Sequence, residues 1–236
     1  MVLSASQRSA DLVVRAATAR DDAAIGRLFD ETLSLGDPLD FRLTRAAAYR
    51  DQCLGWYLTA GRADVGVVVD PDDPDDVVGY ALVCTDEVAY GKAMRFRSLW
   101  FIAVTFGHLL TFRMNAPSRR FYADRARDAF ALVDAHRTRP APAHAHLNVR
   151  RGRRSGAAAL LLRDHIDDRC RRVGIATWSG DINARAGQRR RALERLGLAV
   201  VSSHRNHTLT RRFGVEVDRL MVLRHVPVDT VDEIDH

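Results

Sequence analysis

Residues 141–174 read APAHAHLNVRRGRRSGAAALLLRDHIDDRCRRVG, and this stretch decides the fold. From 143 to 149 the side chains alternate. His144, His146 and Asn148 fall on one face, and Ala145, Leu147 and Val149 on the other, which is the period of a half-buried strand. Residues 150–156 form a basic turn with two glycines, Gly152 and Gly156. From Ala157 onward Ala159, Leu160, Leu162, Ile166, Cys170 and Val173 recur at helical spacing, and Gly174 stands where a helix cap belongs. The first four N–H groups of a helix have no partner within it, and that end carries a partial positive charge. Behind a loop that exposes its own N–H groups, such an end is an anion site, suited above all to a pyrophosphate. A plain strand–loop–helix with a solvated basic loop has the same pattern.

The surrounding chain is of ordinary globular composition. It has 236 residues, 47% of them hydrophobic and 28% charged, enough to bury a substantial core. The net charge is +6, and much of the excess is arginine at 150–154 and 189–191. That excess suits an anionic cofactor, an acidic partner or nucleic acid. Against nucleic acid, the arginine clusters lack interleaved aromatics for base stacking, and no helix-turn-helix pattern stands out. The three cysteines, Cys53, Cys84 and Cys170, are far apart and odd in number. They imply no disulfide framework and no metal spacing, and the default compartment is a reducing cytoplasm. The opening residues lack the apolar core of a signal peptide.

In chain order, 12–16 is a short apolar strand, and Thr18 is placed to cap a helix with Asp21 and Asp22 in its first turn. Residues 44–59 read as a second helix. Residues 65–69 and 77–84 are β-branched runs joined by a string of Asp and Pro, a hairpin. Residues 98–112, SLWFIAVTFGHLLTF, are uncharged yet shorter than the roughly 20 residues a membrane span needs. With a helix over 119–136 they form a helical insertion, 85–140. Three roles fit it: padding of the core, a cover over an acceptor pocket, or a helix lying in a membrane interface. Phe121, Ala129, Phe130 and Val133 are its candidate packing residues. Beyond 174, residues 175–178, 198–202 and 219–223 read as strands, and 229–236 as a loose tail.

The 141–174 stretch resembles the acetyl-CoA-binding motif of the GNAT acetyltransferase superfamily, Arg/Gln-x-x-Gly-x-Gly/Ala between the fourth strand and the third helix. Arg151-Gly152-Arg153-Arg154-Ser155-Gly156 supplies the leading Arg and the last Gly, with Arg154 in place of the middle Gly. Asn183 followed by Leu196-Gly197-Leu198 resembles the family's second motif, with a longer interval and no Tyr in the helix where many members keep a general acid. Asn183 also reads as a plain helix N-cap. LVVRAATARDDAAIGRLF and VVGYAL are similar to the opening strand and helix and to the third strand of the family.

The resemblance implies one GNAT-like α/β domain over 1–236. Its central sheet is mixed, mostly antiparallel and flanked by helices, with the insertion before the fourth strand. It implies acetyl-CoA as cofactor, held by Leu147, Asn148, Val149, Arg151, Gly152, Arg153, Arg154, Ser155, Gly156, Ala157 and Asn183. It implies an acyltransferase of the EC 2.3.1 class that moves acetyl directly to an amine, on a small molecule or a protein. His146, nearer the motif, is the first candidate for base and His144 the second, because His titrates in the useful range. Both also read as hydrogen-bonded packing residues. Arg154 either attracts the cofactor's phosphates or blocks their cradle. No metal, no nucleic acid and no membrane span are expected, and a homodimer is compatible. The alternatives are an inactive GNAT-like interaction domain and, behind it, a basic nucleic-acid-binding protein.

Overall fold

The computed structural model describes residues 12–137, 141–153, 156–188 and 190–227. Strand β4, Ala143–Val149, runs through the middle of a sheet. The others are β1 (Val13–Ala16), β2 (Gly66–Asp70), β3 (Asp73–Cys84), β5 (Thr177–Arg185), β6 (Ala199–Arg205) and β7 (Val217–His225). Their order is β1-β2-β3-β4-β5-β7-β6. Every neighbouring pair is antiparallel except β4 with β5. A parallel pair needs a crossover, and α5, Gly156–Arg172, supplies it. The expected mixed, mostly antiparallel α/β sheet is the one found.

The alternation read from β4 sets its two faces. Ala143 and Ala145, with Leu147 and Val149 less deeply placed, pack with Ala158, Leu162, Ile166 and Cys170 of α5. On the other face His144, His146 and Asn148 meet a second apolar cluster that holds Trp56, Tyr57 and Tyr80.

Thr18 does begin a helix. Its backbone N–H donates to Asp21 Oδ2 at 2.7 Å in a capping box, and a turn of 3-10 helix leads into α1, Asp22–Thr32. The second helix, α2, covers only Ala46–Leu54, short of the expected 44–59 at both ends. Arg45 is left-handed, with φ of 64°, and Thr44 gives its N–H to Ser118 Oγ at 2.8 Å. A contact 74 residues away thus overrides local helix preference.

The insertion is a helical hairpin, α3 (Glu87–Leu110) and α4 (Ala116–Arg137). Helix α3 starts well before residue 98, because Asp86 caps it by accepting from Ala89 N–H. The charged half EVAYGKAMRFR carries no apolar run to betray it. No residue of α3 is fully buried, yet Tyr90, Ala93 and Met94 in its first half pack against the second apolar cluster. No helix among the described residues is long and apolar enough to cross a membrane. Of the insertion's packing candidates, Phe121 is buried and Ala129 exposed; the side chains of Phe130 and Val133 lie outside the description.

Beyond α5, Gly174 takes φ of 72° as its cap position requires. Strand β5 does not stop at Trp178. All of it, Asn183 included, pairs with β7, so Asn183 is a strand residue opposite Arg219 and caps no helix. Long cross-strand pairing overrode the turn suggested by Gly180-Asp181. Helix α6 is short, Arg190–Arg195, and α7, His207–Phe213, was not foreseen. Asn206 caps α7, while Asp128 on α4 accepts from the N–H groups of His207 and Thr208. The readings for the first 11 residues, for Arg154 and Ser155 and for 229–236 fall outside the described residues.

Candidate active site

Strands β4 and β5 pair at three positions only: Ala143 with Trp178, His144 with Ser179, and Ala145 with Gly180. Beyond them β4 stays with β3 as far as Val149, and β5 stays with β7 as far as Arg185. The two parallel strands fork. From His146 to Val149 β4 forms no ladder with β5. Gly180 stands at the crotch, where an added Cβ would lie 2.9 Å from the Ala145 carbonyl oxygen. Only glycine lets the strands come together here before they part.

The fork leads to the basic turn. Arg150 N–H donates to the Val78 carbonyl at 2.8 Å and ends the β4 ladder. Arg151–Arg153 make one turn of 3-10 helix, and α5 begins at Gly156. Around Gly152 and Gly156 no heavy atom of the other described residues, chain neighbours aside, approaches within 4 Å of where a Cβ would stand. A strand, an arginine-rich turn and a helix N-terminus therefore follow one another, with Leu147, Asn148, Val149, Gly152, Gly156 and Ala157 along the way. The charge is more compensated than the sequence suggests. Arg150 lies 2.6 Å from Asp76 and 3.8 Å from Glu31, and Arg151 pairs with Asp37.

The two histidines part ways. His144 is 2% exposed, and both its ring nitrogens are engaged. Nδ1 meets the Glu87 carboxylate, and Nε2 lies 2.6 Å from the Tyr57 hydroxyl. With Nδ1–H donating to the carboxylate, Nε2 accepts from Tyr57. Tyr90 of α3 covers the ring edge-on at 4.7 Å. His146 is half-buried, its ring 5.6 Å from that of His144 and 6.1 Å from that of Tyr57. It lines a small pocket with His144, Ser179, Gly180, Asp181 and Met221. Both histidines line this pocket, which holds only about 10 Å³, and they differ in burial: His144 is closed in with both nitrogens engaged, and His146 is half-buried. Asn148 points to the same face and donates to the Tyr80 hydroxyl at 2.7 Å.

Sequence reasoning missed Glu87 and Asp181, and the contact of Tyr57 with His144. Glu87 lies 57 residues from His144, and Tyr57 lies 87 away. No local pattern links them. Asp181 was legible only once β5 was known to run on past it. Asn183 is not brought to the helix end; its side-chain carbonyl accepts from Asn206 Nδ2 at 2.8 Å.

The Cys84 sulfur, a Glu87 carboxylate oxygen and a His144 ring nitrogen all lie within 4.8 Å of one another, a donor set a transition metal could use. Glu87 already engages His144 as a hydrogen-bond partner. All three cysteines are free thiols. Burial pushes Cys53 up to about 11 and Cys170 up to about 12, so neither is a thiolate nucleophile near neutrality.

No family model matches the chain, and no curated protein matches it. Solved structures do. A protein named SsHAT matches at 16% identity and a TM-score of 0.62, over 92% of this chain and all of its own. The polyamine N-acetyltransferase of Drosophila melanogaster, which forms N-acetylagmatine, matches at 14% identity and a TM-score of 0.56, over 91% of this chain and all of its own. The putative acetyltransferase yncA of Salmonella typhimurium, solved with its cofactor acetyl-CoA, matches at 15% identity and a TM-score of 0.51, over 95% of this chain and 99% of its own. At these identities the likeness is one of fold.

Proposed function

The chain has the fold of the GNAT N-acetyltransferases, and on that premise we propose that it transfers an acetyl group from acetyl-CoA to an amine. The observation that carries this reading is the fork between β4 and β5, which opens onto the turn and the N-terminus of α5. An extended amide-bearing arm suits the fork beside residues 146–149, where β5 no longer pairs with β4, because it can run alongside as another strand would. A pyrophosphate suits the N–H groups at Gly152, Gly156 and Ala157, since among the described residues nothing crowds the Cβ positions of the two glycines. When bound there, acetyl-CoA supplies the acetyl group as a reactive thioester.

The residues of the chain do the rest. An amine must lose its proton to attack, and His146 borders the pocket where that proton would leave. Asp181 lines the same pocket, where its charge already acts on Arg219. His144 is nearly closed to solvent. Held by Glu87 and Tyr57, it fixes the floor against which His146 packs. A backbone N–H of β4 beside the fork would polarise the thioester oxygen as charge develops on it. Transfer is direct, which fits the raised Cys53 and Cys170 thiols. The proton taken by His146 returns to the departing thiolate or to solvent. Because neighbours of this fold include an enzyme acting on polyamines, small polyamines and agmatine head the list of acceptors to try.

The test is calorimetric titration with acetyl-CoA, followed by thiol release across a panel of amines. Saturable binding below about 1 mM and amine-dependent release are expected, with release lost in His146→Ala while binding persists. No heat and no thermal shift at that concentration would leave the chain an interaction domain.

A further inference from the structure

Helix α3 turns an apolar face to solvent. Phe96, Leu99, Trp100, Ile102, Phe106 and Leu110 recur at helical spacing and are between 56% and 76% exposed. Phe112, just past the helix end, is 85% exposed. Lone exposed apolar residues are ordinary, but an unbroken stripe of this size along one helix marks an interaction surface. The opposite face accounts for the rest of the helix. Tyr90 stacks on Trp56, Arg97 pairs with Asp51, Ser98 accepts a hydrogen bond from Gln52, and Phe101 meets Tyr49 and Tyr122. The outer stripe is thus what remains after α3 has packed against the body.

The charges around the stripe say what would cover it. Between Val88 and Ala123 the chain holds six Lys and Arg and no Asp or Glu, although it has 30 acidic residues in all. Lys92 and Arg95 are exposed at one end of the stripe, and Arg113, Arg119 and Arg120 at the other. We propose that this face docks on an anionic lipid bilayer, with α3 lying in the interface and its aromatic residues among the headgroups and upper acyl chains. Helix α3 is about 36 Å long by its residue count. It fails as a span, since no window of it is apolar enough. Phe and Trp in the stripe and cations at its ends are the composition an interfacial helix uses.

A second copy of the chain fits less well. In a two-fold pairing of one α3 on another, antiparallel packing would bring Lys92 and Arg95 toward Arg113, Arg119 and Arg120. Like charges would then meet at both ends with no carboxylate on either strip to relieve them. A bilayer of anionic headgroups meets those cations with opposite charge.

This inference does not rest on the acetyl-transfer reading, because its test needs no CoA. The full chain is floated with large vesicles of phosphatidylcholine alone and of phosphatidylcholine with a quarter phosphatidylglycerol, while light scattering gives its mass without lipid. Binding to the anionic vesicles at least tenfold stronger than to the neutral ones is expected, with a blue shift of tryptophan emission that Trp100→Phe removes. Leu99→Glu with Ile102→Glu should cut binding tenfold or more. Both residues are exposed, so circular dichroism and melting should not change. Lys92→Gln with Arg95→Gln should cost about fivefold per charge on anionic vesicles only. Equal binding to both vesicles would overturn the assignment to anionic lipid. So would a dimer that Leu99→Glu dissolves, together with no flotation, and so would a monomer that ignores both vesicles.

Discussion

Tyr57 meets His144 at its Nε2, and Glu87 meets the same ring at Nδ1. Tyr57→Phe takes away the hydroxyl but keeps the ring that packs on Trp56 and Tyr90. A buried imidazole nitrogen left unpaired costs about 1–3 kcal/mol, so the melting temperature should fall by several degrees. If this ring holds His146 in place, kcat and its pH profile should move while acetyl-CoA affinity stays. An unchanged pH profile with reduced stability would make the group structural only. Asp21 offers a cleaner titration. The Arg15 guanidinium, 2.8 Å away, holds its carboxyl down at about 2. A depressed folded value means the contribution is present above the unfolded value of about 4 and is lost as pH falls through 2. Arg15 is partly exposed, so the unscreened ~2.5 kcal/mol comes down to about 1. Asp21→Asn should therefore lower stability at neutral pH, by a difference that shrinks below pH 4 and vanishes only below pH 2, read by urea unfolding across pH.

At the scale of the element, the fork is the device. Parallel pairing of β4 with β5 ends where Gly180 lies against Ala145, and the divergence follows because β7 claims the rest of β5. In Gly180→Ala the new methyl would sit 2.9 Å from a carbonyl oxygen, tighter than real Cβ contacts allow. The strands must shift, at a cost of about 1–3 kcal/mol, and acetyl-CoA binding should weaken with them. Gly156→Glu tests the other end. It places bulk and negative charge at a helix N-terminus where, among the described residues and chain neighbours aside, nothing now stands within 4 Å of the Cβ position. Stability should hardly change, since no described atom is displaced, yet binding in the calorimeter should vanish. Loss of both together would point to a fold defect instead.

Over the whole molecule, the sheet separates two apolar clusters, one under α5 with Trp178 and one under α1 and α2 with Trp56. Both share the same strands, because alternate residues of β3 and β4 feed opposite faces. Unfolding one cluster strips the other of its wall. Single-tryptophan variants that keep Trp56 or Trp178 should therefore report the same denaturant midpoint. Leu162→Ala, on the α5 side, should lower both midpoints alike, by about 2–5 kcal/mol. Separate midpoints would mean that the two faces fold independently.

What the sequence determined by itself is what local periodicity encodes. Alternation in residues 143–149 placed His144, His146 and Asn148 on one face. The 3.6-residue repeat after Ala157 placed α5, and Gly174 closed it. The strand–turn–helix of the site was therefore legible, and so was the fold class, because these signals act between neighbours in the chain. What only the tertiary structure decided involves partners distant in sequence. Residues 175–178 grew into a nine-residue β5 because β7 was there to pair with it, which took Asn183 out of a helix cap. Glu87 and Tyr57 reached His144 from a helix and a turn whose own patterns carry no trace of that meeting. The separation of the two histidines, one closed in and one half-buried, came from the same source. Burial belongs to the packed whole, and side chains of one type on one face of one strand differ in it only through what is laid over them.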